Sequence, residues 1–560
     1  MVSKTIGVYP TSAISTRKRL FLALEKFLPV RFTSVDSNCL STIDAMVMLE
    51  PHEPLLKMVV SRGLRCFLTD TPTGLIKGGY RVDFGQSPLL DPRLRDRSLE
   101  EQYEGPFATL VPDPGDEVVA SSGGQPLWMI RRQGGTLIDI VACGLEELDE
   151  NEGLWNHLRG MRFITVLPLI HFLRQVTADI AWTPPPLRAN IHFDDPNLHW
   201  TSYGYIDYPE LARHAYKHNY HASMAIIPLD TYFAFASAAR IFQEHGAHLS
   251  LLIHGLNHMK REMAVPLPHN LILSILAEAL HRIAVFEKRY RIPVCRVMAP
   301  PYGVCSTEMV RGMLLLGYEA VVLGKPYPFV DWNAPAPGLD PLAGCCPADF
   351  VMDGFPVIKR HSINYWAQRA DRQGDIVLRA FLDQPIIFFA HHNELSGGLD
   401  ILAHVARHVN SFGPVQWQPL SAICRSNYST RRDGETFYIR LFSRHVKAMI
   451  PEGIEHIFIQ KGQTTETGDS EFVIYDGSPV HLQSEGLTHV SVPKSFSREV
   501  EIELRYPNTL DHRTVPTTSF SFKRIARRVL MESRDRLMPI FNARNWSHRV
   551  GKYDRREYVD

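Results

Sequence analysis

Two aspartates stand side by side in the run Ile191-His192-Phe193-Asp194-Asp195-Pro196-Asn197. Adjacent carboxylates leaving the end of a strand point to different sides, so one is able to bind a metal while the other handles a proton. Further along, Leu252-Ile253-His254-Gly255-Leu256-Asn257-His258 carries a His-x3-His spacing that aims two imidazoles at one point, as zinc sites require. A chain with 25 histidines repeats that spacing at His214/His218 and His404/His408, both inside continuous amphipathic helix patterns. His254 differs because it begins where a buried strand ends. The third element is Met298-Ala299-Pro300-Pro301-Tyr302-Gly303, whose prolines fix a rigid turn and present the following backbone N–H groups, donors able to stabilise an oxyanion. The fourth is Ile386-Ile387-Phe388-Phe389-Ala390-His391-His392-Asn393-Glu394, an apolar strand that ends in a histidine pair.

Positioning such residues requires strands that deliver them to one place. Between the triple proline Pro184–Pro186 and about residue 428, apolar runs recur at Ala189–Phe193, Ser223–Ile227, Leu249–Ile253, Cys295–Met298, Ala320–Leu323 and Ile386–Phe389. Helical patterns lie between them at Pro209–His218, Thr231–His245, Asn270–Arg289 and Leu399–Asn410. Six or seven βα units predict a (β/α) barrel spanning 184–428, whose chemistry gathers at the carboxyl ends of its strands. Each of the four motifs falls at such an end.

The flanks read differently. Residues 1–183 alternate strands (Thr5–Tyr9, Ala45–Leu49, Arg65–Leu68) with helices (Arg17–Phe27, Leu55–Arg62), then give short β-type runs separated by Gly-Gly turns. That layout loosely resembles a glutamine-amidotransferase-like or flavodoxin-like α/β fold. Neither Cys66 nor Cys143 stands on a tight glycine-flanked turn, so the domain is expected to be non-catalytic, a binding or docking module. Residues 429–512 alternate apolar and polar side chains between turns, the pattern of an antiparallel β-sandwich. The tail, 513–560, holds ten arginines and two lysines against five acids and is expected to form a solvated amphipathic helix over Phe522–Met538, with peripheral membrane or protein contact as its possible use.

Composition bounds the rest. The 560 residues suggest three or four domains at roughly 100–200 residues each. With 60 basic and 60 acidic side chains the formal net charge is zero, so no overall field exists to hold a nucleic acid. No export signal is legible and no run reaches the roughly 18–20 apolar residues of a membrane span, so no transmembrane segment and a cytoplasmic location are expected. The eight scattered cysteines form no CxxC pair and read as reduced thiols.

Taken in order, Asp-Asp, His-x3-His, Pro-Pro-Tyr-Gly and a strand-terminal His resemble the polysaccharide deacetylase (chitooligosaccharide deacetylase, NodB-homology) family over the central 240 or so residues, about 187–425. The resemblance implies a distorted (β/α) barrel and a metal-dependent amide hydrolase that removes an acetyl group from an N-acylated sugar or glycan precursor. It implies that Asp195, His254 and His258 bind a divalent metal, zinc above all, leaving an open position for water. It makes Asp194 the general base, the Tyr302 backbone N–H an oxyanion donor, and His391 or His392 the acid that protonates the departing amine, with the family spacing favouring His391. Asp331-Trp332 matches the family's later Asp/Trp segment and would wall the substrate pocket together with Pro301. The aromatic run His199–Tyr205, which contains Trp200 and Tyr203, fits either a sugar-stacking wall of that pocket or a buried aromatic cluster. Two positions depart from the pattern. Pro196 replaces the usual Gly after the acidic pair, and Ala299 stands where an Arg usually orients the base, with Arg296 the nearest substitute. Those departures leave open a degenerate barrel that binds glycan without hydrolysing it, and the multidomain layout with its basic tail leaves open a scaffold in a polysaccharide-assembly complex.

Overall fold

The computed structural model describes residues 3–533, except 36–39, 151, 260, 325–344, 346–347, 352–354, 463–471, 481–486, 493–496, 506–507, 519–521, 524 and 531–532. Asp331 and Trp332 therefore lie outside the described residues, as does the tail from 534 onward.

The N-terminal part is built on one nine-stranded sheet. Val30–Ser34, Lys4–Tyr9, Ala45–Met48, Arg65–Thr69 and Thr136–Val141 lie parallel, in that order. Their apolar runs are buried, and the amphipathic helices Lys18–Phe27 and Glu53–Ser61 pack Leu20, Leu24, Leu55 and Val59 inward. The sheet then continues antiparallel through Gln125–Gln133, Glu117–Ser122, Tyr80–Phe84 and Ser98–Glu101. A flavodoxin-like doubly wound sheet lacks such a meander. The physical cause is connection length: Gly134-Gly135 and Gly123-Gly124 close two-residue hairpins, whereas a parallel crossover needs a dozen residues or more. Cys66 and Cys143 are buried in this part, and burial pushes the Cys143 thiol up to about 12 and Cys66 higher still, so neither is poised as a nucleophile.

The central part closes a ring of seven parallel strands: Leu187–Asp194, Ala222–Ile226, Leu249–Ile253, Val294–Met298, Ala320–Leu323, Phe355–Ser362 and Ile386–Ala390. Six are the apolar runs picked out in the sequence. The one not picked out is Phe355–Ser362, where the short apolar Phe355–Ile358 contains a proline and leads into the polar Lys359-Arg360-His361, of which Arg360 and His361 are buried inside the fold. Val415–Trp417 adds to the start of the first strand, outside the ring. The helical stretch expected at Thr231–His245 is two pieces, a 3-10 turn at Pro228–Phe233 and a helix at Ala236–Glu244. Helix His269–Tyr290, 22 residues long, is apolar enough to cross a membrane by length and composition, which the sequence reading did not anticipate; half of its apolar window is buried against the protein itself.

Residues 428–505 form two four-stranded sheets. Phe437, Ile439, Ile457 and Ile459 of one share a core with Val446, Ala448, Val500 and Ile502 of the other. Alternation of apolar and polar residues produces these one-sided faces. Pairing is not antiparallel throughout: Thr436–Leu441 and His456–Lys461 run parallel, because the strand between them, His445–Ile450, belongs to the opposite sheet and reverses the chain. Ion pairs join the N-terminal part to the barrel, with Arg93 and Arg174 both on Asp383.

Candidate active site

The first barrel strand ends at Asp194 and leaves Asp195 in a left-handed conformation with φ of 78°. That backbone region is unusual for a residue with a Cβ and marks the turn as held by its surroundings. The reversal sends the two carboxylates different ways. Asp195 Oδ1 lies 3.0 Å from His258 Nε2 and 3.5 Å from His254 Nε2, and one ligand atom from each of the three residues falls within 4.8 Å of the others.

These atoms fit a shared cation better than one another. Asp195 Oδ1 is buried and aligned for a hydrogen bond with neither imidazole. Tetrahedral zinc with bonds of about 2.0–2.1 Å sets its ligands roughly 3.3 Å apart, close to the separations found. His254 Nδ1 lies 2.7 Å from the carbonyl of Ala299, the contact that fixes the tautomer leaving Nε2 unprotonated for a ligand bond. Burial alone would raise the Asp195 carboxyl, but the two imidazoles outweigh it and hold the group well below the ordinary carboxylate range. Two nitrogens and one carboxylate suit zinc and also other divalent transition metals.

The loop that carries His258 is shaped by a residue the sequence reading missed. Glu262 turns back and accepts backbone N–H bonds from Leu256 at 2.8 Å, Asn257 at 3.2 Å and His258 at 3.1 Å, with Met259 on its other oxygen at 3.3 Å. Gly255 makes room for it: φ is 62°, and a Cβ there would fall 2.2 Å from Glu262 Oε1 and 2.8 Å from Pro301. Glu262→Ala is therefore expected to lower zinc affinity about 10–100-fold, the usual cost of losing a group that orients ligands, measured by competition with a chromophoric chelator. Unchanged affinity would mean that the loop holds its shape without the carboxylate.

Asp194 sits on the other side of the turn. Its Oδ1 accepts from Arg360 Nη1 at 2.8 Å, and the same nitrogen donates to His192 Nε2 at 2.8 Å. A guanidinium only donates, so His192 is neutral with Nε2 as acceptor. Burial with Arg360 beside it pushes the His192 pKa down to about 3. Burial would also raise the Asp194 carboxyl, yet Arg360 and the neighbouring imidazoles hold it well below its ordinary value, ionised at neutral pH. Arg360 is buried, lies over the Phe389 ring at 4.3 Å, and comes from the polar sixth strand. It contacts the carboxylate as the absent arginine at position 299 was expected to. Arg296 does not: its guanidinium pairs with Glu287 at 2.6 Å.

The remaining residues divide. Tyr302 is 51% exposed, its φ is 63°, and its ring stacks on His258 at 6.1 Å, while Pro301 packs beneath Gly255. His391 follows the last strand with Nδ1 3.6 Å from Glu394 Oε1. Burial would lower its pKa, but Glu394, Asp194 and Asp195 raise it to about 9. His392 points elsewhere: it is buried edge-on to Tyr203 at 5.2 Å and parallel to Tyr205 at 6.0 Å, with Gly204 so close that a Cβ would meet the ring at 2.1 Å. Tyr203 is itself buried, so it offers no stacking face to a sugar, a correction to the sequence expectation. Trp200 is 54% exposed and stacks on Phe235 at 5.8 Å.

No protein-family model and no curated protein matches the chain. Among solved structures, a putative polysaccharide deacetylase from Mycobacterium smegmatis is similar at 14% identity, covering 44% of this chain and 95% of its own, with a TM-score of 0.28. A family 4 carbohydrate esterase from Streptomyces lividans in complex with acetate is 12% identical, covering 41% and 88%, with a TM-score of 0.24. A CE4 family pseudoenzyme from Bacillus anthracis is 12% identical, covering 43% and 66%, with a TM-score of 0.27. The similarity to polysaccharide deacetylases extends over about two fifths of this chain.

Proposed function

We propose that the barrel is a metal-dependent hydrolase that removes an acetyl group from an N-acylated sugar or glycan precursor. The observation that carries this reading is the convergence of Asp195, His254 and His258 beside a second, ionised carboxylate that Arg360 keeps out of the ligand set. A divalent metal held by those three residues would polarise the amide carbonyl and acidify water.

The chain's own groups do the rest. Asp194 takes a proton from the attacking water as the new C–O bond forms. Tyr302 directs its main-chain N–H at the oxygen that gains negative charge. His391 donates its proton to the nitrogen as the C–N bond breaks, yielding acetate and a free amine. Only His391 of the histidine pair serves as this acid, because His392 is locked under the Tyr203–Tyr205 turn. Trp200 and Tyr302 are exposed rings available to a sugar, as is Phe235 stacked on Trp200, with Pro301 fixing the turn beneath. A soluble precursor in the cytoplasm is the substrate we favour, since Cys66, Cys143, Cys295, Cys305 and Cys424 are buried thiols in no disulfide.

The deciding assay is acetate release from N-acetylated sugars with and without a chelator. Release that stops on chelation and returns with zinc is expected. Full metal occupancy with no acetate released from a panel of N-acetylated sugars would instead favour a glycan-binding barrel. That alternative drew on Ala299 and on Pro196 after the acidic pair, and Arg360 weakens the first ground by supplying a guanidinium to Asp194.

The acid also sets a pH dependence. Glu394 and Asp194 favour the protonated imidazole of His391, so kcat/KM falls on the alkaline side as His391 loses its proton. Glu394→Gln removes one of these charges and moves the alkaline limb to lower pH. A limb that stays in place in this variant contradicts the assignment of His391.

A further inference from the structure

The tail was expected to be a solvated helix, yet one of its arginines is among the most buried charges beside the site. Residues 522–523 and 525–530 are helical. Arg528 is only 5% exposed and its partner Asp230 only 3%. The guanidinium grips both carboxylate oxygens: Nε lies 3.0 Å from Oδ1 and 2.9 Å from Oδ2, and Nη2 lies 2.8 Å from Oδ2. Nη2 also donates to the backbone carbonyl of Asp195 at 3.3 Å. Asp230 stands in the turn after the second barrel strand, on the same carboxyl-end face as the four motifs. The neighbouring Arg527 reaches Met259 Sδ at 2.7 Å, directly after His258. One short helix thus touches both loops that bear the ligands, the first through Asp195 and the second through Met259.

We propose that Arg528 is a positioning residue of the active site, and that the C-terminal helix seats on the barrel to hold Asp195 in its ligand conformation. The proposal rests on the metal-hydrolase reading above. Asp195 is left-handed immediately before Pro196, a residue that itself restricts the backbone preceding it, so the turn needs outside support. Arg528 supplies it by fixing the carbonyl on the far side of the ligand's own Cα. Asp230 in turn fixes the guanidinium with a two-point grip that a lysine ammonium reproduces only as a point charge. Metal affinity therefore depends on a residue a hundred positions beyond the barrel.

The test uses the full chain as wild type, Arg528→Ala, Arg528→Lys, and Arg528→Ala combined with Asp230→Asn. The double variant leaves no unpaired buried charge and keeps the experiment readable should Arg528→Ala alone fail to fold. Zinc affinity is measured by chelator competition, and seating of the tail by the rate at which a protease removes it. The expected result is a loss of about 10–100-fold in zinc affinity for the alanine variants, with faster tail cleavage and partial recovery in Arg528→Lys. A wild-type protein that takes up no zinc, cobalt or nickel overturns the hydrolase reading and this inference together. A wild type that binds metal, with the double variant equal to it in affinity, overturns the inference alone, even where the tail is cleaved faster.

Discussion

Replacing His254 by alanine should yield a folded protein that purifies without metal and releases no acetate. The imidazole is one of three donors, and its Nδ1 contact with the Ala299 carbonyl shows that the protein orients this ring for its other nitrogen. Removing the donor should weaken zinc binding by more than the ~10–100-fold that loss of a merely supporting group costs. The cavity left by one ring at a strand end is a modest structural insult, because the strand Leu249–Ile253 keeps its ladder with both neighbours. Elemental analysis of the purified variant, alongside its near-ultraviolet circular dichroism, reads both halves of this expectation. A variant that carries a full equivalent of metal shows that the ion sits elsewhere.

The second large effect separates metal binding from proton transfer. Asp194→Asn should keep the metal and lose about 10²–10⁴-fold in kcat, the range that general acid–base groups contribute. Asparagine preserves an oxygen to accept from Arg360 Nη1, so the packing of Arg360 against Phe389 and His192 survives the change. What disappears is the negative charge able to take a proton from water. KM should move little, since Asp194 is not asked to bind the ground state. Turnover at the wild-type rate in this variant removes the proposed mechanism.

The two variants rest on residues that the sequence displays openly, whereas their supports are hidden in it. Asp194, Asp195, His254 and His258 are conspicuous because polar side chains interrupt apolar runs where strands end, and the barrel brings those ends together. Arg360 was hidden for the converse reason: the apolar start of its strand, Phe355–Ile358, is short and broken by Pro356, the strand turns polar where it enters the site, and the partner of Arg360 lies 166 residues away. Glu262 and Arg528 likewise act through contacts that composition and periodicity do not encode. His391 and His392 look alike in sequence, and only the packing of Tyr203 and Tyr205 tells them apart. The flanking parts follow the same logic. Alternation marked several strands of 428–505 but not Tyr428–Asp433, His445–Ile450 or Ser478–Val480, and strand direction depends on which sheet the intervening His445–Ile450 joins, as the parallel pair Thr436–Leu441 and His456–Lys461 shows.

Arg360 also bears on why Asp194 and Asp195 behave differently despite being neighbours. The first is tied to a fixed positive charge and the second faces two imidazoles with a buried oxygen left unaligned. In the proposed mechanism a cation would collect at Asp195, while Asp194 would stay an ionised acceptor able to take a proton from water. Separating the roles of two adjacent carboxylates is what the left-handed turn at Asp195 accomplishes.

X-ray absorption at the zinc edge of the metal-loaded protein tests this arrangement most directly. The account predicts one ion per chain with two imidazole nitrogens and one carboxylate oxygen at about 2.0–2.2 Å, plus a light-atom position that exchanges with added anions. Four protein ligands, or a first shell with fewer than two imidazoles, would contradict it.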